Sequence, residues 1–240
     1  MIKAVIFDLD GTLYDYNTLE KEAFERVGVL VRERIGVTDE QYEEAFGRAR
    51  KEVKRILGEV AASHNRMLYC QKTMEFLDIR PLYLTLEMYE TYWGTFLDQM
   101  ELYPGGRAFL DALHDENIRV GICSDMVTQI QHRKLLALGL QDDVDCLVTS
   151  EEAGVEKPSP GIFERCLKKL RIAPEEACFV GDKFERDIEG AVAVGMRAIW
   201  FCPEGVEDSQ RSEAEKICDI VSDYDTLREL FFSKIITEDR

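Results

Sequence analysis

Ala4-Val5-Ile6-Phe7-Asp8-Leu9-Asp10-Gly11-Thr12 is the stretch on which the reading of this chain turns. Four apolar residues, two of them β-branched, run into two acids and a glycine, the pattern of a buried parallel strand that ends in a tight turn. The carboxyl end of such a strand opens into the crevice where open α/β sheets bind ligands. Two more runs end in the same way. Arg119-Val120-Gly121-Ile122-Cys123 leads into Ser124-Asp125, and Ala177-Cys178-Phe179-Val180 leads into Gly181-Asp182, with Asp187 five residues beyond. Between them Glu156-Lys157-Pro158-Ser159-Pro160 places a lysine where prolines break one helix and open another.

From Tyr103-Pro104-Gly105-Gly106 onward, helix-like and strand-like segments alternate: a helix to His114, the strand at 119–123, a helix from Thr128 to Leu138 and a strand from Cys146 to Thr149. A helix from Ser159 to Leu170, the strand at 177–180, a helix from Arg186 to Val194, a strand from Met196 to Phe201 and a final helix with a charged tail after Asp225 follow. This alternation predicts a doubly wound, Rossmann-like α/β fold with a parallel sheet. The region between the first strand and Leu97 is different. Phe24, Val27, Leu30 and Val31, then Tyr42, Ala45, Phe46, Ala49, Val53, Ile56 and Leu57, recur at helical spacing. Gly36 ends one helix, Thr38 caps the next and Ile79-Arg80-Pro81 marks a break. The organisation expected is a core at 1–14 and 98–240, with an inserted all-helical cap at 15–97.

The four strand-end motifs, in this order, resemble those of the haloacid dehalogenase-like superfamily of aspartate-nucleophile hydrolases over nearly the whole chain outside the insertion. Asp8-x-Asp10-Gly11-Thr12 matches the first motif, Ser124 the second, Lys157 the third, and Gly181-Asp182 with Asp187 the fourth. The resemblance implies a small helical cap of the first type. It also implies Asp8 as nucleophile, Asp10 as general acid and base, and Lys157 offsetting charge on Asp8 and the phosphoryl group. Ser124 and the backbone of Asp125 would bind that group. Mg²⁺ would be held by Asp8, the Asp10 carbonyl and Asp182, with Asp187 supporting from behind. The family usually has Asn after the second-motif serine, whereas here it is Asp125, whose side chain is expected to turn from the phosphate.

Within the family, Asp10 discriminates among reactions. Halide leaves without a proton and the phosphonate-cleaving branch carries a small residue at this position, whereas an alkoxide must be protonated. The expectation is therefore a Mg²⁺-dependent phosphatase of a small phosphorylated metabolite, resembling nucleotide, flavin-nucleotide or sugar-phosphate phosphatases. A phosphomutase and a non-catalytic binding module are the alternatives.

In the insertion, Ser63-His64-Asn65-Arg66 reads either as a contact to a substrate's distal group or as a solvated helix junction. Tyr89, Tyr92 and Trp93 read either as a stacking surface or as packing, and Lys183 as solvent-facing.

A chain of 240 residues with 45% hydrophobic content can build a sizeable core, and a net charge of −17 disfavours nucleic acid. The seven cysteines are scattered without a C-x-x-C pair and read as buried, reduced thiols. No apolar run spans a bilayer, and the first strand starts too early for a signal peptide, so a cytoplasmic monomer or homodimer is expected.

Overall fold

The computed structural model describes residues 1–236; the end of the stretch after Asp225, expected to be a charged tail, lies outside them. Contacts divide the chain into two compact units, Met1–Asp15 joined with the chain from Glu101 onward, and Tyr16–Met100.

The first unit carries six parallel strands: β1 (Ala4–Phe7), β2 (Arg119–Ser124), β3 (Cys146–Thr149), β4 (Ala177–Gly181), β5 (Arg197–Phe201) and β6 (Asp219–Val221), in the order β3-β2-β1-β4-β5-β6. This is the doubly wound, Rossmann-like arrangement. The order reverses between β2 and β4, which flank β1, so the switch point lies at the carboxyl end of β1. Register fixes what meets there. Phe7 pairs with Ile122 of β2 and with Val180 of β4, so the next residues along the three strands are Asp8, Cys123 and Gly181. All four β1 side chains are fully buried, as a strand covered on both faces requires. One face of the sheet packs Ile6, Val148, Ile162, Phe163, Leu167 and Phe179 into a contiguous core.

The second unit is helical throughout: α1 (Tyr16–Ile35), α2 (Asp39–Leu57), α3 (Arg66–Phe76) and α4 (Thr85–Asp98), with short 3₁₀ turns at Ala61–His64 and Pro81–Tyr83. Thr38 and Gln41 form a reciprocal capping box at the start of α2. Helix α4 runs to Asp98, capped by Gln99, and so carries the unit's boundary past Leu97 to Met100.

The interior of this unit is aromatic. Phe24 stacks on Tyr42 at 4.9 Å between centroids, and Trp93 and Phe96 meet edge to face at 5.3 Å. Tyr92 and Trp93 are buried within it, which gives them the packing role, and Tyr89 is half-buried.

Arg66 is buried here too. It donates from Nη1 to the His64 carbonyl (2.8 Å), from Nη2 to Glu20 (3.1 Å) and to the Tyr16 hydroxyl, and from Nε to Tyr92 (3.3 Å). Its guanidinium is thereby engaged inside the helical unit, while Asn65 caps α3. The Ser63–Arg66 stretch is thus a helix junction with a buried charge.

The helices of the first unit are α5 (Gly106–Asp115), α6 (Thr128–Ala137), α7 (Ser150–Ala153), α8 (Pro160–Leu170), α9 (Glu189–Ala193), α10 (Asp208–Ala214) and α11 (Tyr224–Leu230). A π-helical turn, Phe184–Ile188, precedes α9, and another, Phe231–Ile235, follows α11.

Candidate active site

Asp8 follows β1 directly, and its backbone N–H donates to the Val180 carbonyl at 2.9 Å, continuing the ladder one step past the strand. Its carboxylate is buried. Lys157 reaches it from the loop between α7 and α8, with Nζ 2.6 Å from Asp8 Oδ1 and 2.7 Å from Asp187 Oδ1. That loop is held by Gly154 in a left-handed turn, a cis Lys157–Pro158 peptide and Pro160 at the start of α8.

Gly181 ends β4 and hands the chain to Asp182. The π-helical turn that follows folds Asp187 back, so that its Oδ2 accepts from the Lys183 N–H at 2.9 Å. Ligand oxygens of Asp8, Asp182 and Asp187 all fall within 4.8 Å of one another. Two glycines make room for this. A Cβ on Gly181 would lie 2.5 Å from Asp187, and one on Gly11, which has φ +89°, would lie 2.6 Å from Asp182 Oδ2.

Crowding and burial set the electrostatics. Burial raises the Asp8 carboxyl well above its ordinary pKa; Lys157 opposes this, and Asp187, Asp182 and Asp10 reinforce it. Asp182 is raised by burial, then lowered in part by Lys183, which sits 2.6 Å from it although its side chain is 64% exposed. Lys183, expected to face solvent, thus pairs with the site. Burial disfavours the Lys157 ammonium, but Asp187, Asp8 and Asp125 outweigh it and hold the lysine charged. Such a group, two carboxylates buried and one half-buried, suits a hard cation: all the donors are oxygens, and the Asp182 Oδ1 atom is buried with no hydrogen-bond partner among the described residues. Asp187, expected behind the site, belongs to this trio.

The carboxylate of Asp10 is outside it. Both Asp10 oxygens lie 2.7 Å from Lys134 Nζ, and Oδ1 also accepts from the Tyr14 hydroxyl at 2.6 Å. Ser124 closes β2, and its Oγ accepts from Gln131 Nε2 at 2.6 Å. Asp125 turns its side chain to the Lys157 loop: Oδ1 accepts from the Lys157 N–H (2.9 Å) and Oδ2 from Arg186 (2.8 Å), which also bonds Glu156 and the Lys157 carbonyl.

Lys134, Gln131, Arg186 and Tyr14 were not among the residues singled out by sequence. Gln131 and Lys134 fall on the same stripe of α6 as Leu135 and Leu138, and a lysine on an apolar face is the signal that points to it. Arg186 has no such pattern; only its place beside Asp187 marks it.

A model of the haloacid dehalogenase-like hydrolase family matches residues 2–195. The chain belongs to the haloacid dehalogenase-like hydrolases. It is 36% identical to a ribulose-1,5-bisphosphate 5-phosphatase of Halopiger xanaduensis, over 96% of this chain and 98% of that one. It is 33% identical to a glyceraldehyde 3-phosphate phosphatase of Methanothermobacter thermautotrophicus, over 90% and 92% of the two chains. A phosphatase of the family from Thermococcus onnurineus superposes with a TM-score of 0.69 at 25% identity, covering 96% of this chain and 98% of that one. A 2-haloacid dehalogenase from Pseudomonas syringae gives a TM-score of 0.75 at 24% identity, over 97% and 99%, which shows the shared fold alone.

Proposed function

We propose that this hydrolase is a Mg²⁺-dependent phosphatase of a small phosphorylated metabolite, acting in the cytoplasm through an aspartyl-phosphate on Asp8. The observation that carries the reading is the trio of buried Asp8 and Asp187 and half-buried Asp182, with the Lys157 ammonium on two of its members. Asp8, Asp182 and Asp187, with the Asp10 carbonyl, would hold the cation, which offsets the charge of a phosphate dianion beside an anionic nucleophile.

In the first half-reaction an Asp8 oxygen bonds to phosphorus and the ester P–O bond breaks. The leaving oxygen takes that electron pair and a proton from Asp10. In the second half, water attacks phosphorus and gives a proton to Asp10, and the Asp8–phosphorus bond breaks to release phosphate. Ser124 Oγ accepts from Gln131 Nε2 and is left to donate its hydroxyl hydrogen to a phosphoryl oxygen. Lys157 stays charged and orients Asp8. The Asp125 carboxylate, engaged with Arg186 and the Lys157 N–H, leaves its own backbone N–H to the phosphoryl group.

The names of the relatives direct the substrate toward sugar and triose phosphates. The test is phosphate release from ribulose 1,5-bisphosphate, glyceraldehyde 3-phosphate, nucleoside monophosphates and p-nitrophenyl phosphate, with Mg²⁺ or with EDTA, for wild type and Asp8→Asn. Turnover that needs Mg²⁺ and vanishes in the variant is expected. Turnover that survives EDTA or Asp8→Asn would overturn the reading.

A further inference from the structure

Asp10 has to present one oxygen to a leaving group and later to a water, yet it stands on a turn after a strand, where a short side chain is free to swing. Its surroundings restrict it. Lys134 Nζ bridges both carboxylate oxygens at 2.7 Å, and Tyr14 donates to Oδ1 at 2.6 Å. The Lys134 side chain is 0% exposed, whereas that of Asp10 is 21% exposed, so the lysine reaches the acid from the protein interior and leaves one side of it open. A buried lysine is costly unless its charge is met, and the Asp10 carboxylate meets it with both oxygens. One turn earlier on α6, Gln131 does the same for Ser124. The same face of one helix thus reaches two of the polar groups that the reaction requires beyond the trio, Asp10 and Ser124.

We propose that Lys134 is a positioning residue that, with Tyr14, orients the Asp10 carboxyl for proton transfer to the leaving group. The proposal rests on the phosphatase reading above and goes beyond it in assigning α6 a part in leaving-group chemistry. Lys134 acts through Asp10 and makes no bond to substrate. A two-point contact fixes the plane of the carboxyl, and the Tyr14 contact, made to Oδ1, makes its two oxygens inequivalent.

The test separates proton delivery from everything else by the leaving group. An alkoxide departs only if protonated, whereas p-nitrophenolate departs readily without a proton. The measured quantity is kcat/KM, which covers the steps through leaving-group departure and excludes hydrolysis of the aspartyl-phosphate. Lys134→Met, of similar length and without charge, is expected to lower kcat/KM for glycerol phosphate by about 10–100-fold, the range for loss of a supporting hydrogen-bond partner. On p-nitrophenyl phosphate the loss should be no more than a few-fold. Tyr14→Phe, which removes one contact and keeps the ring, should shift the same ratio in the same direction by less, and it decides the matter if Lys134→Met does not fold.

In an Asp10→Asn background, Lys134→Met should bring no further change in the ratio. Equal losses on both esters, or no loss on either, would overturn the proposal while Asp8→Asn still abolishes turnover. Full turnover of both esters by Asp8→Asn would overturn the phosphatase reading, and this proposal with it.

Discussion

Gly11 and Gly181 are the residues on which the geometry of the acidic trio depends. At Gly11 a side chain meets two obstacles. The backbone is at φ +89°, which an L-residue adopts only at a cost of roughly 1 kcal/mol or more, and the new Cβ would stand 2.6 Å from Asp182 Oδ2. The carboxylate has to move, because the backbone of the turn after β1 is fixed by the ladder bond from the Asp8 N–H to Val180. Gly11→Ala should therefore raise the Mg²⁺ concentration needed for half-maximal activity by about tenfold or more, with a smaller fall in thermal stability. A Mg²⁺ titration of steady-state rate checks this, and an unchanged half-saturation would show that Asp182 is not a ligand. Gly181 makes the parallel case for Asp187, since its Cβ would fall 2.5 Å from that side chain. At this scale the sequence disclosed the acids, because each follows an apolar run, but not the contacts they make. Lys134 is 124 positions from Asp10 and Lys157 is 149 from Asp8, and no local pattern links residues so far apart.

Among the elements, β6 is the weakest signal and carries its own prediction. It has three residues, beginning with Asp219, too short and too polar for a run of the kind that reveals β1 or β4. Beyond its parallel ladder to β5, this edge strand is held by charge: Asp219 bonds Lys234 at 2.8 Å and Arg197 at 3.1 Å. Burial raises the Asp219 carboxyl, but the hydrogen bonds from Lys234 and Arg197 prevail and leave its pKa below the ordinary value. A depressed carboxyl contributes stability above its unfolded pKa, about 3.9, and loses that contribution as pH falls through the lower folded value. Asp219→Asn should thus cost up to about 1 kcal/mol near pH 7, as partly exposed pairs do, and progressively less below about pH 4. Urea unfolding of both proteins across that range tests it, and a difference that stays constant with pH would rule it out. The other elements were legible to the extent that burial writes a pattern. Four fully buried residues announce β1, and helical spacing announces α1 and α2. The π-helical turn that brings Asp187 back has no composition of its own, and α10, 3₁₀ turns and caps aside, is too short for a period to register.

For the molecule as a whole, the net charge of −17 and the acidic trio make the same demand, a counter-charge, at different ranges. Diffuse self-repulsion is relieved by any salt, and at about 0.15 M it is screened beyond about 8 Å. Crowding among Asp8, Asp182 and Asp187 is largely withdrawn from solvent and is screened far less. A cation bound to the folded trio should therefore stabilise the protein beyond what salt does. At a hundredfold excess over its dissociation constant the gain is about 2.7 kcal/mol, or roughly 5–10 °C in a chain of this size. Mg²⁺ added over a background of about 0.15 M NaCl should raise the melting temperature by that amount in wild type, and EDTA should reverse it. Asp182→Asn separates the two ranges of effect. Without Mg²⁺ the variant should melt no lower than wild type, because it removes one of the carboxylates that raise the Asp8 pKa. With Mg²⁺ it should gain little, because it lacks one of the three carboxylate donors. The same Mg²⁺ increment in wild type and variant would mean that the ion acts on the surface charge and that the trio does not bind it.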